Sequence, residues 1–268
     1  MPRSRKLKLA TFNINGIGAR LPNLIAWLKD SSPDIVCLQE LKAADAAFPA
    51  AALEAEGYSA VWAGQKAWNG VAILSKGSDP ILIATGLPGD PKDEQARCIK
   101  AAVKGLVVCC LYAPNGNPAN GPKFAYKVDW MRRLHEHAAL LAESEHPVVL
   151  AGDFNVVPTD FDVYNPRSWK RDALLQPAVR QAYKKLLAQG WTDSLRALHP
   201  DERLYTFWDY FREHWPRNAG LRIDHILLNA TLAPRLKHAG VDAPVRGQAH
   251  ASDHAPVWVE LSDLPAAD

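Results

Sequence analysis

The sequence predicts an α/β protein in which sheet layers are covered by helices, within one domain. Three observations carry this expectation. Strand-like apolar runs outnumber helical patterns, many of those runs pair through short turns, and the helical patterns fall between groups of strands. The sequence shows no convincing repeat and no linker, and 268 residues suffice for one large domain, with a core expected over about residues 7–261.

Taken in order, residues 7–13 alternate apolar and polar and turn through Ile14-Asn15-Gly16, which reads as a strand ending in a polar loop. Pro22 is expected to open a helix with Leu21, Leu24, Ile25 and Leu28 on one face, closed at Ser31-Ser32-Pro33. Residues 34–40 read as a buried strand that ends in the carboxylate of Glu40, followed by an Ala-rich helix over 43–56. Strands are expected at 60–63 and 70–75, and two more at 98–112 turning around Lys104-Gly105. A long helix then presents Val128, Met131, Leu134, Ala138 and Leu141 to the core.

The run Pro147-Val-Val-Leu-Ala-Gly-Asp-Phe-Asn155 is the centre of the pattern. Three aliphatic residues suit a strand buried on both faces, and Gly152 allows another backbone to approach closely. Asp153 and Asn155 lie two apart, so an extended chain points both to one side. Residues 159–172 show no periodicity and read as a long polar loop. Val179, Ala182, Tyr183, Leu186 and Leu187 make a helical stripe ended by Gly190. Residues 204–211 are dense in aromatic side chains, 221–228 and 254–261 read as the last core strands, and Leu264 begins a short tail.

Composition excludes several classes. Hydrophobic content of 48% with 22% charge is that of a folded globular chain, and no apolar run approaches the roughly 18 residues of a membrane span. The basic start, Met1 to Lys6, is followed by polar residues rather than a signal-peptide core. Cys37, Cys98, Cys109 and Cys110 lack metal-site spacing and read as small core residues of a reducing cytosol. A net charge of +2 requires any nucleic-acid affinity to come from a local basic face.

Polar residues collect at strand ends: Asn13, Glu40, Tyr112, Asp153, Asn155, Asp224 and the pair Asp253-His254. Asn13 also reads as an ordinary turn residue and Tyr112 as core or rim. Asp224 lies in an apolar strand, and a buried charge needs a partner. Hard oxygen ligands favour Mg²⁺ or Mn²⁺ over zinc, and a histidine beside a carboxylate can move a proton or hold a phosphate oxygen. The set points to metal-assisted phosphoester hydrolysis.

Phe12-Asn-Ile-Asn-Gly16, Leu38-Gln-Glu40, Gly152-Asp-Phe-Asn155, Leu221-Arg-Ile-Asp224 and Ser252-Asp-His-Ala-Pro256, in this order, closely resemble the exonuclease III family of apurinic/apyrimidinic endonucleases. The resemblance implies a four-layer α-β-β-α sandwich of the DNase I-like type, two packed mixed sheets flanked by helices. It implies a Mg²⁺-dependent phosphodiesterase that cuts duplex DNA 5′ to abasic sites and trims blocked 3′ ends. Glu40 is then the central metal ligand, with Asn13 and Asp253 close to the same ion. Asp153 orients or deprotonates the attacking water, Asn155 donates to a phosphate oxygen, Tyr112 contacts the scissile phosphate, and Asp224 sets the tautomer of His254. Alternatively, Asp153, Asn155 and His254 touch a second or migrating metal. Gln65, Lys66, Arg97 and Asn115 are placed on the DNA backbone, and Phe207 and Trp208 on the wall of a pocket for a flipped-out sugar. The expected state is a cytoplasmic monomer with no membrane partner.

Two departures bear on the damaged strand: the loop over 161–175 differs from the longer, more basic loop of well-known bacterial members, and Leu221 stands where some relatives carry tryptophan. A phosphatase of small molecules or lipids, or a catalytically silent nucleic-acid-binding protein, are the competing readings.

Overall fold

The computed structural model describes residues 6–262, so the first five residues of the basic start and the tail expected from Leu264 lie outside the described residues. The strands are β1 (Leu7–Asn13), β2 (Ile35–Gln39), β3 (Tyr58–Ala63), β4 (Val71–Lys76), β5 (Ile81–Thr85), β6 (Cys98–Val103), β7 (Leu106–Tyr112), β8 (Val148–Asp153), β9 (Thr192–Asp193), β10 (Asp224–Leu228), β11 (Leu236–Val241) and β12 (Val257–Leu261). The helices are α1 (Ile17–Ser31), α2 (Ala50–Glu54), α3 (Pro122–Ala142), α4 (Pro177–Leu187) and α5 (Ser194–Leu198). Six strands form a sheet in the order β11-β12-β1-β2-β4-β3, and six form a second in the order β5-β6-β7-β8-β10-β9. Each sheet is mixed, with the pairs β1/β2 and β7/β8 parallel. None of the described helices is long and apolar enough to cross a membrane.

Strand periodicity sorts the core into three apolar layers. Leu7, Leu9, Ile35 and Cys37 of the first sheet meet Val108, Cys110, Val149, Ala151 and Ile226 of the second, which makes the sheet-on-sheet core. The alternate residues face outward: Ala10, Phe12, Val36 and Leu38 pack with Leu24, Trp27 and Leu28 of α1. On the other side Val148, Leu150 and Phe154 pack with Trp130 and Leu134 of α3 and Tyr183 and Leu186 of α4. The result is the four-layer helix–sheet–sheet–helix sandwich. The four cysteines are free and buried in these strands.

Gly152 shows why the central strand admits no side chain there. A Cβ at this position would stand 1.8 Å from the carbonyl oxygen of Leu111 on β7.

Local expectations fail where tertiary contacts or a proline override the pattern. α1 begins at Ile17, ahead of Pro22, because the N–H groups of Gly16 and Ile17 donate to the carbonyls of Glu40 and Leu41, at 2.7 and 3.0 Å. The helix expected over 43–56 breaks into a turn at Asp45–Ala47 and the short α2. Pro49 disfavours helical geometry at Phe48, which is extended with φ −69° and ψ 130°. On α3 the buried residues are Lys127, Trp130, Met131, Arg133, Leu134 and Ala138, whereas Val128 is exposed. Strands β5, β9 and β11 were not expected from the sequence. The loop after Thr159 is anchored, because Asp162 closes a capping box with Thr159 and reaches Arg222 at 2.7 Å and Arg196 at 2.7 Å.

Candidate active site

The inner faces of both sheets turn from apolar to polar at one end of the sandwich. Asn13 continues the inward row of Leu7 and Leu9, Tyr112 that of Val108 and Cys110, and Asp153 that of Val149 and Ala151. Asp224 starts the inward row of Ile226 and Leu228. Period-two alternation therefore delivers these groups to one seam. Glu40, directly after β2, and Asn155, two residues after β8, are both left-handed (φ 52° and 50°), a backbone cost that concentrates at functional sites.

Asn13 donates from its single amide nitrogen to Glu40 at 2.9 Å and to Asp153 at 3.0 Å, while its oxygen accepts from the Asn15 N–H at 3.1 Å. This pattern fixes the amide orientation. The sequence placed Asn13 close to the metal; its donor group points at two carboxylates, so it ties β1 to both. Asn155 is similarly held: its nitrogen donates to Ala113 O at 2.9 Å and to Asp153 at 3.1 Å.

His254 Nδ1 lies 2.8 Å from Asp224 Oδ2, and Nε2 lies 3.9 Å from Asp153 Oδ2. Burial opposes charge on the ring, but Asp224 and then Asp153 outweigh it and raise His254 to about 10. Burial and the neighbouring Asp224 push the Asp153 carboxyl upward. Burial pushes Glu40 up too, but Lys42, 2.9 Å away, and Asn13 bring it below the usual carboxylate range. Burial and the charges of Glu40 and Asp153 raise the Tyr112 phenol.

Ligand atoms of Glu40, Asp153 and His254 lie within 4.8 Å of one another, a group that could hold a metal ion. The donor set suits a hard divalent cation, because the carboxylates of Glu40 and Asp153 converge there. Asp253 lines the same cavity but is outside this trio; its carboxylate accepts from Asn15 Nδ2 at 2.9 Å.

The cavity has a volume of about 260 Å³ and includes Tyr112, Asn115 and Phe207 in its lining. A groove of about 590 Å³ continues from Glu40 past Gln65, Arg97 and Asn115. Arg97 stacks over Tyr112 at 4.8 Å. Lys66 is exposed nearby in sequence but does not line that groove. Phe207 stands on the cavity, its ring 5.0 Å from His254. Trp208 corrects the expectation: it is 2% exposed, packs edge-on against Tyr205 and Trp215, and donates to Asn218 at 3.0 Å. It lines none of these cavities.

Sequence reasoning missed Asn117, Trp169, Asp172, Leu174, Asp209 and Ile223, which also line the cavity. Ile223 and Asp209 belong to segments already singled out, so only their orientation was missing. Trp169 and Leu174 come from the irregular loop, where no periodicity assigns a facing direction.

The sandwich and this seam, with converging carboxylates and a carboxylate-held histidine, define a hydrolase suited to phosphoesters. The Endonuclease/Exonuclease/phosphatase family pattern matches residues 10–254, and the chain belongs to that family. It is 36% identical to exodeoxyribonuclease III of Haemophilus influenzae over 267 residues, covering 95% of this chain and 100% of the relative. The structure of the 3′ phosphatase NExo from Neisseria, bound to a product DNA hairpin, superposes with a TM-score of 0.91 at 42% identity, covering 95% of this chain and 99% of that one. An AP endonuclease from Archaeoglobus fulgidus gives a TM-score of 0.91 at 39% identity, covering 96% and 100%. Fold and family are those of the DNA-repair nucleases.

Proposed function

We propose that this protein is a Mg²⁺-dependent phosphodiesterase of the exonuclease III type, acting as a cytoplasmic monomer on duplex DNA. It cleaves the backbone 5′ to abasic sites and removes blocking groups or nucleotides from 3′ ends. One observation carries the reading: Glu40 from one sheet and Asp153 from the other meet beside a buried histidine that Asp224 holds.

Glu40 and Asp153 would hold the cation, which when bound supplies polarisation of a phosphoryl oxygen and charge for the leaving oxyanion. Asp224 keeps the imidazole charged and oriented, so His254 can donate to a phosphate oxygen from Nε2. Asp153, lifted by burial and like charge, is positioned to orient or accept a proton from the attacking water. Asn13 and Asn155 fix the Asp153 carboxylate rather than contact substrate. Gln65, Arg97 and Asn115 are disposed along the groove to take backbone phosphates, and Phe207 is placed to pack against the sugar.

The two structural relatives differ in named activity, a 3′ phosphatase and an AP endonuclease, at the same TM-score. The decisive experiment therefore uses labelled duplexes carrying an abasic site, a 3′-phosphate, a recessed 3′ end or no lesion, with Mg²⁺ and with EDTA. Metal-dependent cleavage of the lesion-bearing duplexes is expected, and hydrolysis of none of them would overturn the reading.

A further inference from the structure

We propose that Lys127 is a positioning residue for the reaction: its buried ammonium ties together the two chain segments that carry Asn115 and Asn155 to the catalytic cavity. This rests on the nuclease reading and adds a residue that lines neither the cavity nor the groove. Parallel strands need a crossover connection, so β7 and β8 are joined through α3, and two segments leave their C-terminal ends side by side. Asn115 stands three residues past β7 and Asn155 two residues past β8, and both line the cavity. Lys127, in the second turn of α3, reaches both segments. Its Nζ donates to Asn115 O at 2.9 Å and to Asn155 O at 2.5 Å. Its stem runs directly against the first segment, because a Cβ at Gly116 would stand 2.5 Å from Lys127 Cδ.

The effect reaches the reacting centre through Asn155. With its carbonyl held by Lys127, Asn155 donates from its main-chain N–H to Asp153 Oδ1 at 2.8 Å and from its side-chain nitrogen to Oδ2 at 3.1 Å. It thereby directs both oxygens of a carboxylate that faces the metal position. The charge is not needed to seat the helix. α3 already docks through Trp130, Met131, Leu134 and Ala138. An apolar chain of similar length is cheaper to bury than an ammonium whose bonds go to carbonyls. Burial draws Lys127 down to about 7, against the opposing pull of Asp153 and Asp172. What the charge adds over an apolar chain is a pair of charge-assisted bonds that fix two backbone segments from one point.

Lys127→Met keeps the length of the side chain and removes its charge. On the lesion-bearing duplexes kcat is expected to fall about a hundredfold, the scale for misplacing reacting groups by roughly 1 Å, with KM and Mg²⁺ affinity little changed. Hydrogen exchange at the Asn155 N–H should quicken while amides inside β8 keep their protection. Lys127→Ala opens room for a small amine, and propylammonium should restore kcat where 1-propanol does not, which separates charge from packing. Native kcat or unchanged Asn155 exchange in Lys127→Met overturns the proposal, as does rescue of Lys127→Ala by neither additive or equally by both. If Lys127→Met does not fold, the rescue of Lys127→Ala decides by the same outcomes. A native protein that cuts none of the duplexes, with Asn155 exchange still quickened in the variant, refutes the nuclease reading and keeps the tether; native cutting with an unimpaired variant does the reverse.

Discussion

Asp224 stands directly opposite Asp153 across the antiparallel β8–β10 ladder, which brings two carboxylates to one end of the inner sheet face. Opposed residues in such a ladder share a face, and like charges there repel. His254 relieves the pair: it is bonded to Asp224 and faces Asp153.

Replacing Asp224 by Asn keeps the shape and removes the charge that holds His254 protonated. We expect kcat to fall by at least about a hundredfold, with DNA affinity little changed. The double variant Asp224→Asn with His254→Ala should be scarcely worse than His254→Ala, because the two act as one unit. Multiplicative losses in single-turnover kinetics would separate the residues and end the proposed pair.

Glu40→Gln is expected to weaken Mg²⁺ binding and abolish turnover while the fold persists. The amide retains a hydrogen-bonding group toward Asn13 but not the charge. Titration calorimetry checks the metal affinity independently of cleavage, and native-like Mg²⁺ affinity would remove Glu40 from the ion.

Phe207→Ala should impair abasic-site cleavage more than removal of a 3′-phosphate, because in the proposed reading the sugar packs on the ring and a terminal phosphate does not. Trp208→Ala should instead lower stability by about 3–5 kcal/mol, the range for emptying a large aromatic from a core. Thermal melts and paired substrate assays distinguish the neighbours; equal losses on both substrates would make Phe207 a packing residue as well.

Lys66→Ala should reduce the slope of log affinity against log salt by about one, with no dependence on base sequence. An unchanged slope places Lys66 away from the duplex, a result its position outside the groove lining makes informative.

Asp162 connects pH to stability. Burial raises its carboxyl, but Arg222, with Thr159 and Arg196, prevails and holds it down to about 2. A depressed folded value gives stabilisation that is present above the ordinary carboxylate value near 3.8 and lost as pH falls through about 2. Asp162→Asn should therefore cost about 3–5 kcal/mol near neutrality by stranding part of the Arg222 charge, with the gap from the native protein narrowing below about pH 4. Denaturant unfolding at neutral and acid pH gives the comparison; a gap that stays constant argues that the cost is packing alone.

The strand ends were legible because alternation is local: once Val149 and Ala151 face inward, so must Asp153. The same rule does not reveal a side chain's partners. Asn13 looks like a ligand in one dimension, and only the three-dimensional contacts show its nitrogen turned to the carboxylates. Phe207 and Trp208 have nearly the same chemistry, yet only Phe207 reaches the cavity, while Trp208 packs against Gly220, where a Cβ would stand 2.7 Å from the indole nitrogen. β5 escaped notice because Ile81, Leu82 and Ile83 are apolar and all exposed, so the usual inside–outside contrast is missing. Pro22 misled because helix α1 starts through bonds to the Glu40 loop, distant in sequence.

The seam between the sheets has a consequence for biogenesis. Glu40 and Asp153 belong to different sheets and are joined by Asn13, whose partner in β8 is 140 positions away along the chain. A chain with either sheet formed alone lacks a complete centre, so a molecule still being made, or one partly unfolded, is unable to cut DNA. Nuclease activity during refolding should therefore return only with docking of the two sheets, after secondary structure has formed.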